Sequence, residues 1–251
     1  MKKIFFVFAI SSALISCKKE TKSSPTTEVK DSNPIQNKPT SGYGTNIIDK
    51  DGNTYKTVFI GKQQWMAENL KVTHYNDGTI IPNVTEESKW ASTYTGAWCY
   101  FNNEKTYNEK YGKLYNWYAV SLNTNGNKNI CPLGWHVPSD EDWTILSDYL
   151  GGELIAGGKM KEEGVTSWKS NFISDNLEGS NSSLFTALPG AGRIPGGVFD
   201  GMGIGTSGNW WSTSEDFVNG AWVRTLYVFS DKVARSGFGK KHGLSVRCLK
   251  D

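Results

Sequence analysis

The side chains in this sequence that could do chemistry are three histidines, four cysteines, one acidic triplet and a few glycine-rich strings. His74, His136 and His242 lie far apart in the chain. None stands in a His-Glu-x-x-His pair or beside cysteines at zinc-ligand spacing. Their spacing predicts structural or surface roles and no metal. Asp140-Glu141-Asp142 could draw a cation, but Ser139 comes just before it. Ser139 with Asp142 fits a helix N-cap, and acids there also sit at the positive end of the helix dipole. Capping is the preferred reading. Gly203-Ile204-Gly205-Thr206-Ser207-Gly208 spells G-x-G-x-x-G, yet Asn209-Trp210-Trp211 follows where a nucleotide-binding unit needs a helix. Gly157-Gly158-Lys159-Met160 lacks the spacing and hydroxyl of a P-loop, and no G-x-S-x-G elbow occurs. No catalytic residue and no cofactor is therefore expected.

Binding is better signalled than catalysis. Gly190 to Gly208 holds eight glycines and almost no periodicity. Long ordered loops on a rigid scaffold often carry ligands. Aromatics are 13% of the chain, with ten Trp, which is hard to hide completely in one domain. Trp168, Arg193, Phe199, Trp210, Trp211 and Tyr227 are the candidate ligand contacts: flat rings stack on sugars or insert into partners, and Arg adds planar hydrogen bonding. Trp210 and Trp211 are adjacent, so on a strand they face opposite ways and at most one of them faces a ligand.

The chain opens Met1-Lys2-Lys3, followed by an apolar run from Ile4 to Ile15 and then Ser16-Cys17. The run is well short of the roughly 20 residues of a membrane span and reads as a secretory signal, residues 1–16. Leu14-Ile15-Ser16-Cys17 resembles the bacterial lipobox. That resemblance implies cleavage before Cys17 and acylation of it, palmitate included, because stable anchoring takes more than one chain. Residues 17–45 are rich in Lys, Ser, Thr, Pro and Asn and read as a disordered tether. It would span about 30 Å as a flexible coil. The expected location is the outer membrane, on the cell surface or the periplasmic face, with the bilayer as a partner through Cys17. Without Lys2 and Lys3 the 27 basic residues fall to 25, equal to the 25 acids. A neutral mature chain gives no support for nucleic-acid binding.

The elements that must position these residues occupy 46–251. Ile47-Ile48-Asp49, Tyr55 to Ile60 and Trp65-Met66 read as strands around turns, and Gly96 to Phe101 as another strand. Tyr111, Leu114, Tyr115, Tyr118 and Leu122 predict a helix within 107–122. A second helix begins after Ser139, buries Trp143, Leu146 and Leu150, and stops at Gly151-Gly152. Ala221 to Phe229, Lys232 to Gly237 and Leu244 to Leu249 read as a closing antiparallel meander. The expected class is α+β. With Cys17 acylated, Cys99, Cys131 and Cys248 remain: either one pair and one free thiol, or three free buried thiols.

Several phrases carry a family resemblance. They are Asp51-Gly52-Asn53-Thr54-Tyr55, Gln64-Trp65-Met66-Ala67-Glu68-Asn69-Leu70, Tyr111-Gly112-Lys113-Leu114-Tyr115-Asn116-Trp117 and Cys131-Pro132-Leu133-Gly134-Trp135-His136-Val137-Pro138-Ser139-Asp140. Later come Thr186-Ala187-Leu188-Pro189-Gly190, Trp210-Trp211-Ser212-Thr213-Ser214-Glu215 and Gly243-Leu244-Ser245-Val246-Arg247-Cys248. Together they resemble the Fibrobacter succinogenes major paralogous domain, found in surface lipoproteins of Bacteroidetes and fibrobacters. More loosely, Trp135 to Trp143 is similar to a stretch of the formylglycine-generating-enzyme family, whose architecture is C-type-lectin-like. That likeness implies two helices flanking a small twisted antiparallel sheet with long irregular loops. It also implies a Cys131–Cys248 disulfide, with Cys99 left buried and free. It brings neither family's chemistry. The oxidase needs a close cysteine pair where only Cys248 stands, and Pro82-Asn83 follows Ile81, which offers no carboxylate for lectin-type calcium. The expected function is a lipid-anchored, non-catalytic module that binds a glycan or a surface protein. A structural or self-assembling envelope protein is the first alternative. A diverged enzyme of the formylglycine-generating-enzyme superfamily is the second.

Overall fold

The computed structural model describes residues 42–169, 176–216 and 218–251. The expected signal, Cys17 and nearly all of the expected tether lie outside them. Strand β1 (Gly42–Ile48) already begins ahead of the expected Asn46 boundary. It pairs antiparallel with β2 (Thr54–Ile60), and β2 pairs with β3 (Gln63–Met66). The turn into β2 is held by Asp49, whose carboxylate accepts from the Asp51 and Asn53 amides and from the Tyr55 hydroxyl. Two more strands complete this sheet: β6 (Trp135–His136) and β10 (Leu249–Lys250). The order is β1-β2-β3-β10-β6. A two-stranded pair joins β4 (Trp98–Cys99) to β5 (Leu114–Tyr115). A third sheet is the meander β7 (Ser207–Glu215), β8 (Gly220–Tyr227) and β9 (Ala234–Gly239).

Five short helices accompany the sheets. They are α1 (Glu87–Ser92), α2 (Asn108–Tyr111), α3 (Trp117–Val120), α4 (Asp140–Tyr149) and α5 (Glu153–Met160). The α+β, C-type-lectin-like expectation of two helices flanking one small sheet is therefore corrected. The described residues are mostly β, in three sheets with only small helices. The helix expected within 107–122 is where the reading failed most clearly. Gly112 takes a φ of 73°, which ends α2 and lets Leu114–Tyr115 run as a strand. Asn116 then caps α3, its side chain accepting from the Ala119 amide. The apolar spacing is real, but it serves three elements in turn.

Helix α4 forms where its cap predicts. Ser139 accepts from the Asp142 amide and Asp142 accepts in return from the Ser139 amide, a reciprocal box. Gly151 and Gly152, at φ 104° and 95°, end it. Helix α5 follows at once, which the sequence reading did not foresee. It approaches so closely that a Cβ on Gly157 would stand 2.6 Å from the Asp231 carbonyl oxygen. The closing meander also differs. Its first strand is β7, and the run ending at Leu249 leaves it to join β3 and β6 in the other sheet.

Neighbouring strand residues feed different cores. On β2, Tyr55 enters one cluster with Met66, Tyr115, Trp117, Trp211 and Val246. Val58, on the opposite face, enters another with Trp65, Trp143, Trp168, Phe185 and Trp210. Strands β2, β3 and β7 are thus packed on both faces. A smaller cluster gathers Trp90, Cys99, Phe101, Leu114 and Ala191 beside the glycine-rich segment. The Cys131–Cys248 disulfide ties the loop before β6 to the segment entering β10, and Cys99 is free and buried. No described helix is long and apolar enough to cross a membrane.

Candidate functional site

Alternation along β7 puts Ser207, Asn209 and Trp211 on one face of the third sheet and Trp210 on the other. Across the ladder, Ser207 faces Tyr227, Asn209 faces Thr225, and Ala221 faces Phe238. One end of that face is core, under Trp211 and Val223. The other end opens as a cleft of about 310 Å³. Its sheet side carries Ser207, Asn209, Tyr227 and Phe238, and its cover is built by Ile194, Asp200, Met202, His242 and Leu244.

Local bonds hold the cover in place. The Asp200 amide donates to the Gly192 carbonyl, and Asp200 Oδ1 accepts from the Met202 amide at 3.0 Å. Arg193 exchanges both main-chain bonds with Gly243. Gly197, at φ 93°, approaches α1 so closely that a Cβ would meet the Glu87 oxygen at 2.3 Å. Asn209 is wholly engaged: it donates to the Ala191 carbonyl and to Ser207, and accepts from Thr225.

Arg193 is the one cation on the cleft's rim, and its side chain is fully buried. Its Nε donates to the Gly197 carbonyl at 2.6 Å, Nη1 to Val84 at 2.6 Å and Nη2 to Thr85 at 2.7 Å. The guanidinium lies between the rings of Trp90 and Phe199, at 4.5 and 4.9 Å from their centroids. It staples three loop segments together, with every nitrogen already bonded and the group shut away from solvent.

His242 has a defined tautomer. Its Nδ1 lies 2.9 Å from the Gly239 carbonyl oxygen, which can only accept, so Nδ1 carries the hydrogen and Nε2 is an acceptor. Burial lowers the pKa of the imidazole, which is neutral at pH 7. Its ring packs on Phe238 at 4.9 Å between centroids. Tyr227 stacks on Phe229, 5.2 Å apart at 19°.

The expected contacts divide sharply. Trp168, Trp210 and Trp211 are fully buried, and their indole N–H groups donate to the Ala187 carbonyl, Asn69 Oδ1 and the Tyr115 carbonyl. Both Trp210 and Trp211 are core, one in each of the two large clusters. Truncating either would cost about 3–5 kcal/mol of stability and would report on packing before binding. Phe199 is partly buried against Phe101 and Arg193. Arg193 and Tyr227 do line the cleft, but only Tyr227 offers it a side chain with an open polar group. Asp200, Phe238 and His242 were missed. Asp200 had a signal, since it is the only acid between Gly190 and Gly208. Phe238 and His242 had none, because tertiary pairing alone brings them to the segment.

The remaining candidates for chemistry are structural. Asp142 caps α4. Asp140 binds Arg224 and Arg235 at 2.6 and 2.9 Å. His74 pairs with Asp51, and His136 with Asp251 and Asp142. Among the described residues no cluster of metal-ligating side chains occurs. A family model described as the Fibrobacter succinogenes major domain matches residues 58–250. No curated protein and no solved structure matches the chain.

Proposed function

The chain belongs to the Fibrobacter succinogenes major domain family, and within it we propose a lipid-anchored envelope protein whose domain is a non-catalytic binding module for a glycan or a protein partner. The observation that carries this reading is the cleft at the open end of the β7-β8-β9 sheet. It is apolar on its walls and rimmed by a tyrosine, a carboxylate and a neutral imidazole drawn from separate segments. Small-molecule sites are built in this way, with few polar groups on a largely apolar surface. The signal and lipobox at Cys17 support the envelope location.

The test is a screen of the full chain in vesicles against envelope glycans and defined surface proteins, with Tyr227→Ala as control. Saturable binding weakened by that substitution is expected. Failure to bind anything in both panels would overturn the reading. A structural envelope role is the second reading. It is favoured by the fate of the tryptophans: nine of the ten are buried, and Trp222 is half-buried.

A further inference from the structure

We infer that the cleft takes an uncharged, hydroxyl-rich ligand with an apolar face, a neutral saccharide, and discriminates against anionic ones. This deepens the binding-module reading and rests on it. The reasoning begins with what the cleft lacks. Recognition of a carboxylate, sulfate or phosphate takes a cation with free donors, typically the fork of an arginine. The rim's cation is Arg193. Each of its three nitrogens already donates to a main-chain carbonyl, and the side chain is shut away from solvent between two rings. Freeing it would break the staple that holds residues 84, 85 and 197 together. It would also leave the Val84 and Gly197 carbonyls without their donor, at about 1–3 kcal/mol each.

What the cleft offers is complementary to hydroxyl groups. Three polar atoms on its lining residues have no hydrogen-bond partner among the described residues: the Tyr227 hydroxyl, Asp200 Oδ2 and His242 Nε2. Two are pure acceptors and the third both donates and accepts. A ligand filling them must bring O–H or N–H donors. Asp200 carries formal negative charge at the rim, which opposes an incoming anion directly. The walls supply the other half of sugar recognition. Phe238 and Leu244 line the apolar side, and the Tyr227 ring is held rigid by its stack on Phe229. A pyranose has one face of C–H groups and an edge of hydroxyls, and this wall and this rim fit both. The volume, near the lower bound of small-molecule sites, suits one or two sugar rings.

The full chain is titrated with cello-, manno- and galacturono-oligosaccharides of equal length, and with a lysine-rich peptide. At least one neutral oligosaccharide is expected to bind tenfold or more tightly than the galacturonate. Tyr227→Ala should weaken it about tenfold, and Tyr227→Phe, which keeps the ring and the fold, several-fold. Asp200→Asn should narrow the gap between neutral and acidic sugars. Tighter binding of the galacturonate overturns the inference. So does neutral binding that ignores all three substitutions. If only the peptide binds, and Tyr227→Ala abolishes it, the inference fails while the binding-module reading stands. If nothing binds in this titration or in the wider screen, both fail.

Discussion

Arg247 donates its Nε to Asn69 Oδ1 at 2.9 Å across 178 positions of sequence. The same oxygen accepts the Trp210 indole N–H at 2.9 Å. Asn69 Nδ2 donates to the Tyr111 carbonyl at 2.8 Å. The far end of Arg247 reaches the carbonyls of Phe185 and Thr186. One buried amide thus joins the segment after β3, the end of α2, β7 and the approach to β10. The consequence for stability is direct. Asn69→Ala leaves the buried Arg247 Nε and an indole N–H without an acceptor and should cost about 2–5 kcal/mol in denaturant unfolding. Asn69→Asp keeps the acceptor for both donors and should cost less. Equal losses would show that the amide's donor side, toward Tyr111, is the part that matters.

The Cys131–Cys248 bond closes a separation of 117 residues. Cross-links over long loops restrict the unfolded chain most. Replacing both cysteines with alanine should lower stability by about 2–5 kcal/mol. Treatment of the parent with reductant should reproduce the shift in melting temperature, and the double variant should then be insensitive to reductant.

His136 sits between Asp142 and Asp251, with Nδ1 2.7 Å from Asp251 and Nε2 3.8 Å from Asp142. The nearby Asp142 carboxylate, and then the hydrogen bond to Asp251, raise its pKa above the ordinary 6.5. The folded protein therefore holds this proton more tightly than the unfolded chain. That stabilisation is complete below about pH 6.5 and is lost as pH rises through the raised value. His136→Gln should destabilise more at pH 5.5 than at pH 8.5. The group is half exposed, so the difference is of the order of an exposed ion pair, ~0.2–1 kcal/mol. Parallel stability curves across that range would show that protonated His136 gains nothing from Asp142 and Asp251. The partner Asp142, pulled down to about 2 by His136 and by its cap with Ser139, keeps its charge until far lower pH.

Cys17→Ala should abolish incorporation of radiolabelled palmitate and release the chain from the membrane fraction. Labelling that persists would refute acylation at this residue.

The parts of the fold legible beforehand were those specified locally. The Ser139–Asp142 box fixes the start of α4, and Asp51-Gly52-Asn53 fixes the turn into β2. The failures came from tertiary context. The helical spacing around Tyr111 was genuine, but Gly112 in the left-handed region and the Asn116 cap cut the segment into a helix, a strand and another helix. Tryptophan count pointed to a ligand face because one-sided strands are the usual case. Here β7 lies between two cores, and both Trp210 and Trp211 are interior. Arg193 and Tyr227 could be picked out as residue types in a glycine-rich or strand context. Asp200, Phe238 and His242 become neighbours only after the loop, β9 and the turn beyond it have come together.

The sheet order β1-β2-β3-β10-β6 has a bearing on the order of folding. β3 and β6 share no bonds until Leu249–Lys250 slots between them. Strands β1 to β3 can pair as a local meander and β7 to β9 as another, while β6 waits for β10, so this sheet is completed last and by its longest-range contacts.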